Sequence, residues 1–357
     1  MNIVVLAGGL STERDVSLVS GAGITKTLIE NGHNAVLLDV YLGRPYEKEN
    51  LQEVFHLPNA GLEIANGIGN AEPDLAKIKA SRQIDTGCFL GPNVIELCRM
   101  ADIVFMGLHG DVGENGKLQA TFDLLGIRYT GPSSLGSALA MDKGVAKNLF
   151  DAAGVPNARG VALKKDAKDK SLKALALSLP VVVKPCSGGS SVGVFIVNTE
   201  EEYNEALASS FTYEDEVVIE EYIKGREFAV GLIDGKALPV IEIVPKSGFF
   251  DYQNKYQSGC TEEICPARIS PEIAEKMQRA AEKAYAALHL DIYSRADFLL
   301  KEDGSIYCLE VNSLPGMTPA SLLPKEALAA GISYNALCEK IIALSLKRFE
   351  EDPSWTF

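Results

Sequence analysis

Two β-rich segments flank the dipeptide Asp303-Gly304, which is among the strongest short-range signals for a β-hairpin. If these two residues form the turn, Asp297 lies opposite Glu310 on the neighbouring strand, and Arg295 lies opposite Asn312. Because side chains alternate along a strand, all four then project from the same face. We therefore predict a hairpin over residues 293–312 that carries one polar face.

The residue types on that face are those of a cation site. Carboxylate and amide oxygens suit Mg²⁺, which commonly uses one or two carboxylates together with nucleotide phosphates. An arginine beside them suits the charge that develops on a transferring phosphoryl group. A solvated hairpin with a cross-strand ion pair is the alternative interpretation, and the hairpin alone leaves it open.

The first part of the chain alternates strands, tight turns and helices. Buried strands are predicted at residues 3–6, 35–40 and 103–108, and helices at residues 16–31 and 117–125. This alternation is typical of a parallel sheet covered by helices. Residues 41–100 carry no usable pattern, so we interpret them as an elaboration of this domain.

Further along the chain, one long helical pattern covers residues 134–153 and ends at Gly154. Short strands and helices then alternate. Strands are predicted at 181–184, 194–197, 217–223, 228–233 and 238–244, with helices starting at Thr199-Glu-Glu-Glu202 and spanning 271–290 and 334–350.

A loop rich in glycine and serine, residues 185–193, follows the strand that ends at Lys184. Small residues allow backbone N–H groups to approach a phosphate, and the lysine supplies a positive charge. The loop is neither a Walker A sequence nor a dinucleotide-binding G-x-G-x-x-G fingerprint. A Gly/Ser turn without a ligand is the alternative, and Lys143 taken alone is typical of a solvated helix lysine.

Composition narrows the range of partners. The formal net charge of −14 argues against nucleic acid or an anionic membrane as a partner. The seven cysteines form no CxxC pair, so neither a zinc site nor a disulfide framework is indicated. The start of the sequence has no signal-peptide pattern, and we expect a cytoplasmic protein.

Eight short motifs occur in order along the chain: residues 8–17, 108–116, 129–143, 183–193, 220–227, 251–256, 295–297 and 310–322. Together they resemble the D-alanine–D-alanine ligase family of the ATP-grasp superfamily. The resemblance implies an α/β and α+β chain, in which a Rossmann-like parallel α/β domain precedes an ATP-grasp fold. The implied boundaries are 1–131 for the N-terminal domain, 132–224 for the central subdomain and 225–357 for the C-terminal subdomain.

The resemblance also implies the reaction and its residues. Two D-alanines would be joined with ATP through a D-alanyl phosphate, for peptidoglycan precursor synthesis and so for cell-wall biogenesis and cell shape. Nucleotide binding is implied for Lys143, Lys184, Ser191, Glu220, Glu221, Ile223 and Glu227; Mg²⁺ binding, with Mn²⁺ as an alternative, for Asp297, Glu310 and Asn312; catalysis for Glu13, Ser190, Tyr256, Arg295 and Gly316; and substrate binding for His109, Lys255, Ser321 and Leu322.

Several of these implied roles are specific. Glu13 would bind the ammonium group of the first D-alanine and link to Ser190 and Tyr256. Arg295 and the N–H of Gly316 would stabilise an oxyanion. For His109, a purely structural role is the alternative.

The first alternative function differs in the second substrate. D-Serine or D-lactate could replace the second D-alanine, although the hydroxyl of Tyr256 favours an amine acceptor. Another ATP-grasp ligase or carboxylase, or a non-catalytic nucleotide-binding protein, is a more distant alternative. The presence of Glu13, Ser190, Tyr256 and Arg295 argues against these. A homodimer is the assembly expected from the resemblance.

Overall fold

The computed structural model describes residues 1–45, 48–65, 67–69, 73–187, 189, 193–245 and 261–352. The chain begins with three parallel strands, β1 (Asn2–Ala7), β2 (Asn34–Asp39) and β3 (Ile103–Met106), in the order β2-β1-β3. Helix α1 (Arg14–Glu30) connects β1 to β2 and packs on both. Residues 3–7 of β1 are fully buried, as expected for the central strand of a covered parallel sheet. The predicted N-terminal α/β arrangement is therefore present.

The poorly patterned region after β2 contains four short helical segments among its described residues. It contains 3₁₀ segments at Lys48–His56 and Leu62–Ile64, followed by α2 (Leu75–Ala80) and α3 (Val94–Met100). Leu51, Val54 and Phe55 are buried against the parallel sheet, so this region completes the N-terminal core. Two further helices, α4 (Asp111–Glu114) and α5 (Lys117–Leu125), follow β3.

The prediction of one helix over residues 134–153 is wrong. Two helices occur there, α6 (Ser134–Met141) and α7 (Lys143–Ala153), because Asp142 adopts an extended conformation with φ −85° and ψ 99°. The Asp142 carboxylate accepts a hydrogen bond from the N–H of Val145 at 3.0 Å. Aspartate is a preferred N-cap residue, so this side chain begins a new helix at Lys143.

We expect Asp142→Ala to lower the free energy of unfolding by about 1 kcal/mol, because it removes the N-cap of α7. Urea denaturation monitored by circular dichroism measures this change. Asp142→Asn is the matched control, since asparagine also caps helices and should cost much less. Equal losses in the two variants would contradict the capping role.

The central part of the chain forms an antiparallel sheet of four strands. These are β4 (Gly160–Lys164), β5 (Val181–Pro185), β6 (Phe195–Val197) and β7 (Glu216–Glu221), in the order β4-β7-β5-β6. Helix α8 (Glu200–Ser210) packs on β5 and β6, and the Thr199 hydroxyl accepts a hydrogen bond from the N–H of Glu202 at its start. The strand predicted to reach residue 223 ends at Glu221.

A larger antiparallel sheet follows in the C-terminal part. It contains β8 (Arg226–Ile233), β9 (Lys236–Ala237), β10 (Ile241–Pro245), β11 (Thr261–Ile264), β12 (Tyr293–Leu300) and β13 (Ile306–Asn312). The strand order is β11-β10-β8-β12-β13, and β9 pairs with the end of β8. The accompanying helices are α9 (Pro271–Ala287), α10 (Leu322–Ala329) and α11 (Tyr334–Glu351).

Strands β12 and β13 form the predicted hairpin, and Asp297 lies opposite Glu310 and Arg295 opposite Asn312 as expected. The predicted two-residue turn is wrong, however. Lys301 and Ser305 are joined by a hydrogen bond across a loop of three residues, in which Gly304 has φ +81°. Near this turn Phe298 pairs with Cys308, and a register shift between Asp297 and Phe298 leaves Leu309 as an additional residue on β13. The longer turn and the bulge offset each other, which is why the polar pairs agree with the prediction.

Within the described part of the chain, no single helix combines the length and apolar character needed to cross a bilayer. Helices α10 and α11, with a bend of 100° between them, together have the length and the apolar composition of a membrane span, and nothing beyond length and composition supports one.

Candidate active site

The polar face of the β12–β13 hairpin is organised around the carboxylate of Asp297. Arg295 donates two hydrogen bonds to it, from Nε to Oδ1 at 2.7 Å and from a terminal nitrogen to Oδ2 at 2.8 Å. The amide of Asn312 donates a third, to Oδ2 at 3.0 Å. The side chains of Arg295 and Asp297 are 15% and 16% exposed, so one edge of this cluster is open to a ligand.

The guanidinium of Arg295 carries a fixed positive charge. Burial alone would lower its pKa, but Asp297, with smaller contributions from Glu326 and Glu310, raises the pKa above that of an ordinary arginine. The bidentate contact with Asp297 also fixes the plane of the guanidinium. Arg295 is therefore an oriented cation on the polar face.

A second group of charged side chains lies beside the hairpin, in a pocket between α7, β5, β7 and β13 that includes Lys143, Lys184, Glu220 and Glu310. The ammonium group of Lys184 is 2.6 Å from Oε1 of Glu220, and both residues are buried. Lys143 lies 3.4 Å from Oε2 of Glu310. Its backbone N–H donates to the carbonyl of Cys186, which joins the start of α7 to the loop after β5.

Sequence reasoning missed Lys147 in the same pocket. Its ammonium group lies 3.1 Å from Oε2 of Glu220, so that a lysine contacts each oxygen of this carboxylate. Burial raises the pKa of Glu220, but Lys184 and Lys147 outweigh it and lower that pKa below its usual range. The signal in the sequence was the four-residue spacing from Lys143 to Lys147, which places both on one side of a helix.

The other residues predicted at the nucleotide lie along the end of β7 and the start of β8. The Glu221 side chain is 38% exposed and pairs with Arg159 at 2.9 Å, while its N–H donates to the carbonyl of Arg159. Ile223 lies in the link between the two strands, half-buried. Glu227 is at the start of β8, and its backbone pairs with Leu299 on β12.

The segment after β13 brings Gly316 close to the start of α10. A β-carbon added at Gly316 would lie 3.0 Å from the hydroxyl of Ser321, so a larger residue would crowd this hydroxyl. The Ser321 hydroxyl accepts a hydrogen bond from the N–H of Thr318 at 3.1 Å. Ser321 is the N-cap residue of α10, and Leu322 is its first residue. The three predicted residues therefore surround one helix N-terminus, where a carboxylate is favoured.

Glu13 and His109 lie where the N-terminal sheet faces the rest of the chain. A β-carbon at Gly110 would come within 2.9 Å of Oε2 of Glu13, and one at Gly189 within 3.0 Å of the same atom. Glu13 is therefore adjacent to Gly189 of the Gly/Ser loop. The His109 ring lies 3.0 Å from the carbonyl of Leu314 and 3.0 Å from the Ser20 hydroxyl.

His109 is held by both ring nitrogens in a buried position. Burial is the main reason that its pKa is lowered, and Arg295 lowers it further against the opposing effect of Glu13. A neutral, doubly hydrogen-bonded imidazole suits the structural alternative considered above, although Glu13 and Arg295 lie within electrostatic range of it.

Two carboxyl groups near the site, the half-buried Glu114 and the buried Glu326, were also missed. Glu114 accepts hydrogen bonds from the N–H groups of Gly110 and Leu314, and burial together with Glu13 raises its pKa to about 7. Glu326 on α10 accepts from the N–H of Gly231 at 2.7 Å, and burial raises its pKa to about 8. Glu114 stood within a recognised motif, whereas nothing in the sequence distinguishes Glu326 from a solvated helix residue.

Four predicted site residues, Ser190, Ser191, Lys255 and Tyr256, lie outside the described residues. The roles implied for these four residues stay predictions.

The chemistry of the hairpin face fits a divalent cation held with a nucleotide. A carboxylate has about four acceptor positions, and Arg295 and Asn312 occupy three of those of Asp297, which leaves one for a metal. Asn312 contacts Asp297 through its side-chain nitrogen, so its amide oxygen is not used in this hydrogen bond. In the described residues no group of three or more His, Cys, Asp or Glu side chains could hold a metal ion by itself. Two carboxylates and one amide instead suit Mg²⁺ when phosphate oxygens complete its coordination shell.

Comparison with known proteins identifies the family. Two family models match the chain, one described as "D-ala D-ala ligase N-terminus" over residues 2–132 and the other as "D-ala D-ala ligase C-terminus" over residues 149–343. The chain belongs to the D-alanine–D-alanine ligase family. The family predicted from the sequence motifs is therefore confirmed.

Relatives and solved structures of the D-alanine–D-alanine ligase family match over nearly their whole length. The D-alanine–D-alanine ligase of Pediococcus pentosaceus is 43% identical over 355 residues, covering 98% of this chain and 99% of that protein. The enzyme of the same name from Halalkalibacterium halodurans is 40% identical, covering 98% and 100%. The crystal structure of the Bacillus anthracis ligase complexed with ATP has a TM-score of 0.75 at 34% identity and covers 99% of both chains. The predicted fold class is confirmed by this likeness.

Proposed function

We propose that this protein joins two D-alanines to D-alanyl-D-alanine, with ATP as the energy source and D-alanyl phosphate as the intermediate. The single observation that carries the proposal is the position of Glu310. Its carboxylate lies on the polar hairpin face opposite Asp297 and also 3.4 Å from Lys143 in the lysine-lined pocket. Glu310 thus connects the lysine-lined pocket, which is suited to phosphates, to the polar hairpin face, which is suited to a cation and an acyl group.

The first chemical step activates a carboxylate, which by itself is a poor acyl donor. An oxygen of the D-alanine carboxylate attacks the γ-phosphorus of ATP, and the bond to ADP breaks. Protein groups contribute mainly by positioning and by neutralising charge in such a transfer. We assign this to Lys143, Lys184 and Arg295, with Lys255 as a further cation, and Glu13 would hold the substrate ammonium group.

The second step forms the peptide bond. The amine of the second D-alanine attacks the acyl carbon, the amine loses a proton, and inorganic phosphate leaves. Arg295 and the N–H of Gly316 would stabilise the oxyanion that develops on the carbonyl oxygen. Ser321 and the N–H of Leu322 would receive the carboxylate of this acceptor, as favoured at a helix N-terminus.

Asp297, Glu310 and Asn312 would hold Mg²⁺, with Mn²⁺ as an alternative ion. When bound, the cation neutralises phosphate charge. Glu220, Glu221 and Ile223 would border the base, Glu227 the ribose, and Ser191 the phosphates, while Ser190 and Tyr256 would link to Glu13. We further propose a homodimer in the cytoplasm that supplies peptidoglycan synthesis, with domain boundaries at 1–131, 132–224 and 225–357.

The direct test is phosphate release with ATP and Mg²⁺ in the presence of D-alanine alone, and then with D-serine or D-lactate added. We expect phosphate release with D-alanine alone, and mass spectrometry should identify the dipeptide in equal amount. Omission of D-alanine is the control for simple ATP hydrolysis. If D-alanine alone gives no phosphate while a mixed pair does, the second substrate is not D-alanine.

A further inference from the structure

The ammonium group of Lys147 is fully engaged inside the nucleotide pocket. It donates to Oδ1 of Asn157 at 2.8 Å and to the carbonyl oxygen of Ala158, and it lies 3.1 Å from Oε2 of Glu220. A lysine ammonium has three N–H donors, and these are three acceptors. Its side chain is only 9% exposed. Lys147 is therefore fixed in one position and has no donor left for a ligand.

Lys184 differs from Lys147 although it contacts the same carboxylate. Within the described residues its only hydrogen bond or ion pair is with Oε1 of Glu220, at 2.6 Å. Two of its three donors are therefore available to another acceptor. Lys184 also lies at the end of β5, where the Gly/Ser loop begins. Of the two lysines, Lys184 is the one that can turn towards a phosphate.

We propose that Lys147 is a positioning residue for ATP, which holds Glu220 ionised and in place so that Lys184 can engage the nucleotide phosphates. The proposal rests on the proposed function, since it requires that the pocket binds ATP. Lys147 acts through Glu220 and does not contact the nucleotide itself.

The physical reason is the cost of an unpaired buried charge. Glu220 is 5% exposed, so its carboxylate needs a partner at all times. If Lys147 were absent, Lys184 would be its one cationic partner, and movement of Lys184 to a phosphate would leave a buried carboxylate without a counter-charge. With Lys147 present, Glu220 keeps a salt bridge while Lys184 moves. The three side chains together also carry one net positive charge, which favours a polyanion.

The test is direct binding of a non-hydrolysable ATP analogue with Mg²⁺, measured by calorimetry in the absence of any amino acid. We expect Lys147→Met to raise the dissociation constant about tenfold, in the range of coupling seen for residues in one network. The KM for ATP should rise by a similar factor, while kcat at saturating ATP changes by less than about threefold. Methionine keeps the length of the side chain and removes its charge.

A double-mutant cycle with Glu220→Gln separates this role from simple packing. In that background the carboxylate is gone, so Lys147→Met should change the dissociation constant by less than about threefold. An equal loss in both backgrounds, or unchanged binding of Lys147→Met in the wild-type background, would overturn the proposal. Lys165→Met is the matched control, because Lys165 pairs with the exposed Asp215 away from the pocket and should bind the analogue normally.

The two proposals fail in different ways. Wild-type protein that does not bind the analogue would refute the proposed function, whatever Lys147 does. Wild-type protein that binds, with a Lys147→Met variant that binds equally well, would refute only the role of Lys147. Circular dichroism and thermal melting establish that each variant is folded, and Lys147→Gln replaces Lys147→Met if the latter is not.

Discussion

Arg295→Ala is expected to lower kcat by about 10³-fold or more, while binding of an ATP analogue changes little. The guanidinium is oriented by two hydrogen bonds to Asp297 and keeps its positive charge despite burial. Both proposed steps develop negative charge close to it, first on the phosphoryl group and then on the carbonyl oxygen. Single-turnover phosphate release, measured alongside analogue binding, separates the chemical effect from the binding effect.

Two controls sharpen this test. Arg295→Lys keeps a charge but loses the fork that contacts both oxygens of Asp297, so we expect an intermediate rate. Arg279→Ala removes a surface arginine that pairs with Glu275 on α9, and it should leave turnover normal. Near-normal turnover in Arg295→Ala would show that this residue does not stabilise either transition state.

Glu326→Gln should stabilise the protein at alkaline pH and have little effect at acidic pH. Burial raises the pKa of Glu326 to about 8 from an ordinary value of 4.5. The folded state therefore holds a proton that the unfolded chain releases, and stability falls as pH rises from about 4.5 to 8. Above that window the loss is complete and amounts to roughly 3–5 kcal/mol. Glutamine has no proton to release and avoids the loss.

Urea denaturation of the two proteins at pH 5 and pH 9 gives the required difference in free energy of unfolding. The amide oxygen of glutamine can still accept the hydrogen bond that Oε1 of Glu326 receives from Gly231, so this contact is kept. Glu282→Gln is the control, because Glu282 also accepts a backbone N–H, from Ala237, but lies at the surface. A difference between wild type and Glu326→Gln that does not grow with pH would contradict the assigned burial effect.

The fold was predictable where a periodic pattern coincided with a clear stop signal. Strand β1, helix α1 and helix α5 were expected from apolar periodicity followed by glycine, and they occur within two residues of the expected positions. The break at Asp142 was not foreseen, because the apolar pattern continues across it and only the side-chain cap separates the helices. The 3₁₀ segment Lys48–His56 was missed because its period matches neither helix nor strand.

The candidate site was predictable where its residues lie close together in the sequence as well as in the fold. The pairs Arg295–Asn312 and Asp297–Glu310 were placed correctly, although this required the unpredicted three-residue turn and the bulge to offset each other. The burial of Glu326 could not be predicted, because it depends on α10 crossing β8 at a glycine far away in sequence. For Lys147 the helix face was predictable, but its partners Glu220 and Asn157 come from other elements.

The bulge on β13 has a consequence for the character of the pocket that contains Lys143, Lys184 and Glu220. In a regular strand, Leu309 would point away from the face that carries Glu310. As the additional residue it shares the position opposite Asp297, and it lines the same pocket as Lys184 and Glu220. Deletion of Leu309 would restore strict alternation and keep the polar pairs, but it would remove an apolar residue from the lining of this pocket. One extra residue thus lets a single strand contribute both a charged and an apolar residue to the same pocket.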